Sequence, residues 1–372
     1  MLTEHQTHFS RRSWTEIRLD TLRENLRIYK EYCHAEQIMA VVKADAYGHG
    51  AAECAQALSE AGVTLFAVSN IIEAIELRSA GIGGEILILG YTPSEQLPLL
   101  TEYNIMQAVV SEEDAARIAE LAPESRVQYA LDTGMNRIGL DADDPAACEA
   151  VIRRYPLRIC GMFTHLCVAD TDTPECREFT RGQIAKFEAV ADRLTDMKLP
   201  YVHCLNSAGG LWQQTKYHGI ARLGIVMYGL KPDYANTLPD GICPVLEWKS
   251  VISMVKPLHA GETVGYGRTF RAEREMLLAT VPTGYADGFN RLLSNRGCVL
   301  IGGKRAPIVG RVCMDQLTVD VTGLDVHAGD EVVLLGRSGG LEYTADDMAQ
   351  AVGTIGYEII CGITHRVQRR YL

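Results

Sequence analysis

Short apolar runs recur along the first 240 positions, each closed by a polar or glycine-bearing turn and followed by a stretch of helical spacing. The runs at 38–43, 65–69, 86–89, 107–110, 127–131, 158–163, 201–205 and 220–223 predict strands. The stretches at 21–32, 51–58, 71–79, 112–121, 146–153 and 183–197 predict amphipathic helices between them. A short alternating segment at 16–20 predicts one more strand ahead of the series. Eight short apolar strands alternating with helices over about two hundred residues point to an α/β fold, a parallel (β/α)8 barrel of the TIM type. A doubly wound open sheet is the competitor, and the absence of Gly-x-Gly-x-x-Gly after the first strand disfavours its dinucleotide-binding form.

The pattern changes near Pro239-Asp240-Gly241. Beyond it, glycine-marked strands are predicted at 245–255, 276–281, 299–301, 308–312, 317–321 and 331–335. A helix follows at 344–352 and a last strand at 359–367. Two domains are therefore expected: the barrel over 13–240 and a predominantly β domain over 241–372, with the N-terminal strand near 14–20 packing with the second.

Composition narrows the function classes. Lys and Arg number 36 against 47 Asp and Glu, a net charge of −11, which speaks against a nucleic-acid partner. The sequence holds no apolar run of membrane-spanning length and opens without a charged n-region and apolar h-region. The opening 1–12 is polar and expected to fray. Eleven cysteines without CxxC spacing fit a reducing, cytoplasmic compartment, and ten histidines without HExxH spacing give no support to a metal site.

The chemistry-bearing residues fall after the predicted barrel strands, where sites of (β/α)8 barrels lie. Lys43 is expected to end strand one, where partial desolvation lowers an amine's pKa and suits it to attack carbonyls. Asp132-Thr133-Gly134-Met135-Asn136-Arg137 follows strand five and His165 closes strand six. Asn206-Ser207-Ala208-Gly209-Gly210 follows strand seven and Arg222-Leu223-Gly224-Ile225 ends strand eight. Ser207, Gly209, Gly224 and Ile225 stand where a phosphate needs backbone amides. Taken singly, each has a plainer reading: a snorkelling lysine, a loop, a core histidine, an ion-paired arginine. Together, a lysine facing a phosphate cradle suggests pyridoxal phosphate (PLP), a phosphorylated aldehyde that joins Lys as a Schiff base.

The motif from Val42-Lys43-Ala44-Asp45-Ala46-Tyr47 to Gly48-His49-Gly50, with Asp132 to Gly139, Asn206-Ser207 and Arg222 to Gly229, closely resembles the PLP-dependent alanine racemases. Val264-Gly265-Tyr266-Gly267, Gly284-Tyr285-Ala286-Asp287-Gly288 and Gly310-Arg311-Val312-Cys313-Met314-Asp315-Gln316 extend the resemblance, which runs from Ser13 to the C-terminus. The membrane-anchored serine racemases of glycopeptide resistance share the same cytoplasmic domain. The resemblance therefore covers L-serine as well as L-alanine, antibiotic resistance as well as D-alanine supply to peptidoglycan, and the soluble domain of a longer anchored protein.

The resemblance implies that Lys43 carries PLP and acts as one base, with Tyr266 as the second base on the opposite face. It implies that Tyr47, Ser207, Gly224, Ile225 and Tyr357 hold the phosphate, with Asn206 beside them. It implies that His165 and Arg222 form a hydrogen-bonded chain behind Tyr266, that His203 supports Arg222, and that Arg222 also faces the pyridine nitrogen. Arg137 and the Met314 backbone receive the substrate carboxylate, while Tyr285 and Tyr357 narrow the entrance; Arg311, Cys313 and Asp315 are supporting residues. Tyr266 and Met314 come from the other subunit in the family, which implies a head-to-tail homodimer with shared sites. The chain departs from the family pattern at Asp45, often Asn, at Val168, often Ala, and at Ala130. A carbamylated lysine commonly stands at the place of Ala130 and supports the arginine, so Arg137 needs another anchor. The rival readings are a PLP-dependent amino-acid decarboxylase of the same architecture, whose Cys-containing acidic motif is missing, and a non-catalytic PLP carrier, which lacks the β domain. A purely structural or sensory domain is a third.

Overall fold

The computed structural model describes residues 11–372, so most of the stretch expected to fray lies outside the described residues. The chain divides into two compact units: residues 22–242 form one, and residues 243–372 with the described segment before Leu22 form the other.

The first unit is the expected barrel. Its strands are Gln37–Val41, Leu65–Val68, Glu85–Ile88, Met106–Val109, Arg126–Asp132, Arg158–Phe163, Tyr201–His203 and Ile220–Leu223. The first seven pair in sequence order, all parallel, and the eighth returns to pair with the first. Between the seventh and eighth, a bridge from Leu205 to Ala221 and the Arg222 amide on the Leu205 carbonyl (3.0 Å) narrow the seam. These strands read as predominantly apolar runs because they are largely buried on both faces: Leu65–Val68 and Met106–Val109 show no exposed position. The intervening helices start where side-chain oxygens take up their free amides. Asn70, Ser111, Asp144 and Thr173 each cap one.

The second unit is β-rich. One sheet runs Lys304–Pro307, Cys298–Ile301, Glu331–Ser338, Leu246–Val251, Ser13–Ile17, Gln368–Tyr371. Ser13–Ile17 is thus antiparallel to Leu246–Val251 and parallel to the C-terminal strand. A second sheet joins Met254–Leu258, Met276–Val281 and Leu317–Asp320. Trp248 meets Phe289 edge-on at 5.8 Å in the interior, both fully buried.

Three expectations change here. The run 245–255 is two strands, broken at Ile252-Ser253. The run 308–312 is not a strand: Gly310 takes a left-handed φ of 81°, and only Ile308 bridges, to Val319. The run 359–367 begins inside the helix Gly356–Cys361, and the last strand is the polar Gln368–Tyr371, which an edge position tolerates.

Candidate active site

At the first strand the structure departs from expectation. The strand stops at Val41, and Lys43 opens a turn in which Ala44, Asp45, Ala46 and Tyr47 are all left-handed, with φ between 51° and 54°. Left-handed backbone costs an L-residue roughly 1–2 kcal/mol, so four in succession must be held from outside. The Asp45 carboxylate accepts the Ala51 amide (2.8 Å), and the Asp45 carbonyl accepts the Gly50 amide (2.9 Å). His49 Nδ1 lies 3.0 and 3.1 Å from the Ala46 and Tyr47 carbonyls. The Glu73 carboxylate accepts the Ala44 amide (2.8 Å). Tyr228 stacks near both Tyr47 and His49 and donates its hydroxyl to the Val41 carbonyl (3.0 Å). Asp45, a departure from the family pattern, is therefore an anchor of this turn.

The turn delivers Tyr47 to the end of strand eight. A Cβ at Gly224 would lie 2.8 Å from the Tyr47 hydroxyl oxygen, so only glycine lets that ring in. The Gly224 amide donates to Ser207 Oγ at 2.9 Å, and Ile225 opens the short helix Ile225–Tyr228 beside it. Tyr47, Ser207, Gly224 and Ile225 are thus gathered into one cradle, where the Tyr47 and Ser207 hydroxyls and the Ile225 amide form a donor set that fits a phosphate, while the Gly224 amide is taken by Ser207. Gly209 is corrected: its amide is taken by the Asn206 side chain (2.8 Å). The other end of the Asn206 amide donates to the Leu166 carbonyl (2.9 Å), so Asn206 joins the ends of strands six and seven. Gly210 serves packing, because a Cβ there would strike the Tyr29 hydroxyl at 2.0 Å.

Arg222 is almost fully buried, and the plain reading of it as one half of an ion pair does not hold. Its guanidinium donates to the Thr164 carbonyl (2.6 Å), to His203 Nδ1 (2.6 Å) and carbonyl (3.3 Å), and to His165 Nδ1 (3.3 Å). It also sits 5.5 Å from the Phe163 ring, which stacks on His203. Burial lowers the guanidinium to about 10, and it remains a cation at neutral pH. Both histidines are held neutral. Burial, followed by the Arg222 charge, pushes His203 well below its ordinary range. Burial, then Arg222, Arg137 and Lys43, lowers His165 to about 3. Since both Nδ1 atoms accept from Arg222, each ring carries its proton on Nε2, and His203 donates to Gln128 Oε1 at 2.9 Å. His165 itself lies two residues beyond the end of strand six.

Arg137 is exposed on the loop after strand five and has no carboxylate within ion-pair distance among the described residues. Asp132 shapes that loop by accepting the amides of Gly134 (2.9 Å) and Asn136 (3.0 Å). Below it, buried Gln183 donates to Thr133 Oγ1 (3.2 Å) and the His165 carbonyl (3.1 Å) and accepts from the Cys167 amide (3.1 Å). Ala130 is buried in the strand.

The remaining candidates belong to the β unit. Tyr266 stands on a turn between Gly265 and Gly267, both at positive φ, with its side chain exposed. The Arg311 guanidinium lies where a Cβ of Gly267 would come within 2.9 Å. Tyr285 and Ala286 donate their amides to the carbonyls of Cys313 and Met314 (3.0 Å each), so the Tyr285 and Met314 loops are one assembly. Buried Asp287 secures it, accepting both Arg12 nitrogens at 2.9 Å and the Gly284 amide at 3.0 Å, and Arg366 bonds Asp315 at 2.8 Å. The Thr364 amide donates to the Asp287 carbonyl (3.1 Å), which ties the segment after Tyr357's helix to that loop.

Glu73, Gln128, Phe163, Thr164 and Gln183 are not singled out by sequence reasoning. Of these only Glu73 has a local signal, standing three residues after the cap Asn70. Among the described residues there is no cluster of His, Cys, Asp or Glu able to hold a metal, and no helix long and apolar enough to cross a membrane.

Comparison with known proteins gives a consistent picture. Residues 17–232 match the family description "Alanine racemase, N-terminal domain" and residues 245–371 match "Alanine racemase, C-terminal domain". Alanine racemase 1 of Clostridium acetobutylicum is 40% identical over 369 residues, covering 96% of this chain and 95% of its own. The crystal structure of alanine racemase from Bacillus anthracis with bound L-Ala-P is 33% identical with a TM-score of 0.91, covering 98% of this chain and 96% of its own. That from E. faecalis is 36% identical with a TM-score of 0.90, and covers both chains in full.

Proposed function

The chain belongs to the alanine racemase family, and from that premise we propose that it interconverts L- and D-alanine with PLP carried on Lys43. The observation that carries the reading is one end of the barrel holding three things at once. These are Lys43 at the head of a restrained turn, the Tyr47–Ser207–Gly224 cradle, and a buried Arg222 without a carboxylate.

When bound, PLP supplies an electron sink for the charge left at the α-carbon. Tyr47, Ser207, Gly224 and Ile225, joined by Tyr357, hold the phosphate. Arg222 is assigned to the ring nitrogen: a guanidinium donates there but accepts no proton, so that nitrogen stays unprotonated. Inverting a stereocentre needs a proton removed from one face and returned on the other, which takes two bases. Lys43 is one. Tyr266 is the other, supplied by a second copy of the chain in a head-to-tail homodimer, which accounts for a phenol left in solvent on a glycine-flanked turn. Arg137 takes the substrate carboxylate with the Met314 backbone, while Tyr285 and Tyr357 restrict the side chain to the size of alanine or serine. The enzyme is assigned to the cytoplasm, supplying D-alanine to peptidoglycan.

Incubating the PLP-loaded protein separately with L-alanine and L-serine, then resolving enantiomers, tests this. D-alanine is expected, with less D-serine. Decarboxylated amine, or unchanged L-alanine with cofactor bound, rejects the reading.

A further inference from the structure

We infer that Glu73 is a positioning residue for Lys43: its carboxylate fixes the backbone just beyond the lysine and so sets where the amine points. The inference rests on Lys43 being the cofactor-bearing lysine proposed above. Glu73 lies in the first turn of the helix Ile71–Ser79, whose cap Asn70 accepts the Ile72 and Glu73 amides at 3.0 Å each. In a capping box the carboxylate at this position turns back to the amide of the cap itself. Here it reaches elsewhere. One oxygen accepts the Ala44 amide at 2.8 Å and the other the Ser69 amide at 2.7 Å. A single side chain thus bridges the chain leaving strand one and the chain leaving strand two.

Ala44 is the first of the four left-handed residues, and Lys43 precedes it directly. Backbone in that region persists only where its surroundings over-determine it. Of the other restraints, Tyr228 holds Val41 ahead of the lysine, and the rest act further along, on Asp45 through its carbonyl and carboxylate and on Ala46 and Tyr47 through His49. Glu73 is the side chain that holds the residue next to the lysine. Both bonds use an ionised acceptor, the stronger kind of hydrogen bond. A glutamine has the same shape but one acceptor oxygen, and its NH2 faces an amide N–H, so it must release one of the two segments.

The test compares PLP-loaded wild type, E73Q, E73A and E76A, the last an exposed position on the same helix. Borohydride reduction and peptide mapping of the wild type come first. No label on Lys43 overturns the proposed function and this inference with it. With Lys43 labelled, three quantities are read: the pH titration of the lysine-bound cofactor's visible absorbance, the rate of PLP uptake by stripped protein, and kcat and KM for alanine. Misplacing a reacting group by about 1 Å costs on the order of 10²-fold. E73A is therefore expected to lose about tenfold or more in kcat with KM little changed, to take up PLP more slowly and to shift the titration midpoint. E73Q should move the same way by less, and E76A should match wild type. E73Q is isosteric and keeps the test open if E73A fails to fold. Wild-type midpoint, uptake rate and kcat in E73Q and E73A, or a lower melting temperature with those three unmoved, overturn the inference while leaving Lys43 in place.

Discussion

The barrel and the β unit carry their candidate residues in opposite states. At the barrel end Arg222 and His203 are 3% and 0% exposed, and both terminal nitrogens of the guanidinium and both ring nitrogens of His203 are engaged. In the β unit Tyr266, Met314 and Tyr285 are 71%, 53% and 41% exposed, although the Tyr285 and Met314 loops are tied to each other through their backbones. Burial against fixed partners sets a charge in place before any ligand arrives and costs desolvation. Exposure of a tyrosine and a methionine leaves their surface to be covered by something else. One region is preorganised within its own unit. The other is presented for use by a partner copy, as proposed.

Removing the central member of the preorganised set gives the largest expected effect. K43A should lose at least about 10³-fold in racemisation, because nucleophile and base go together. Chiral chromatography of D-alanine reads it, and K43A above a tenth of wild-type rate contradicts the assignment. The presented set is broken by Y266F, expected to cost about 10²- to 10⁴-fold as loss of one base. Mixing inactive K43A with inactive Y266F then sharpens the contrast. If sites are shared across a dimer, half of a randomly mixed population holds one intact site of two, and roughly a quarter of wild-type activity returns. No recovery after exchange places both bases in one chain. A smaller effect is expected for Arg137, exposed and without a carboxylate to fix it. R137A should raise KM for alanine by about 10-fold to 100-fold, the loss of one charge-assisted pair, with a lesser change in kcat.

The same contrast explains what the sequence reveals. The barrel strands are legible because parallel strands buried on both sides are predominantly apolar, and Leu65–Val68 or Glu85–Ile88 satisfy that locally. The end of the β unit is not. Ile359-Ile360 is a short apolar run that periodicity cannot assign, and it is helical, while the true last strand is Gln-Arg-Arg-Tyr at a sheet edge. At the site, residue types that name a chemistry, such as Lys43, Arg222 and Ser207, stand out in sequence. The left-handed turn does not, since Ala44-Asp45-Ala46-Tyr47 contains no glycine and each residue ordinarily prefers right-handed backbone. It exists because Glu73 and Tyr228, tertiary partners, hold it from outside while His49 closes it locally. Gln128 and Gln183 are likewise ordinary glutamines until the fold brings them to His203 and to Thr133.

The smallest effect expected is on stability, and it tests whether preorganisation at the barrel end has an energetic signature. His165 is held neutral in the fold down to about pH 3, whereas in the unfolded chain it titrates near its ordinary 6.5. Above pH 6.5 both states are neutral and the barrel keeps its full stability. As pH falls below 6.5 the unfolded chain takes up the proton first, so stability is lost progressively until the folded ring itself protonates near 3. At pH 5 the gap amounts to about 2 kcal/mol for one such histidine. Carboxylates contribute to any acid transition, so the informative quantity is a difference. Urea midpoints of wild type and H165Q, measured at pH 7.5 and pH 5, should show a smaller fall in H165Q, because glutamine still accepts from Arg222 and has no proton to gain. Equal falls in both proteins mean that His165 titrates normally in the fold, and that the Arg222 cation is not held close against it.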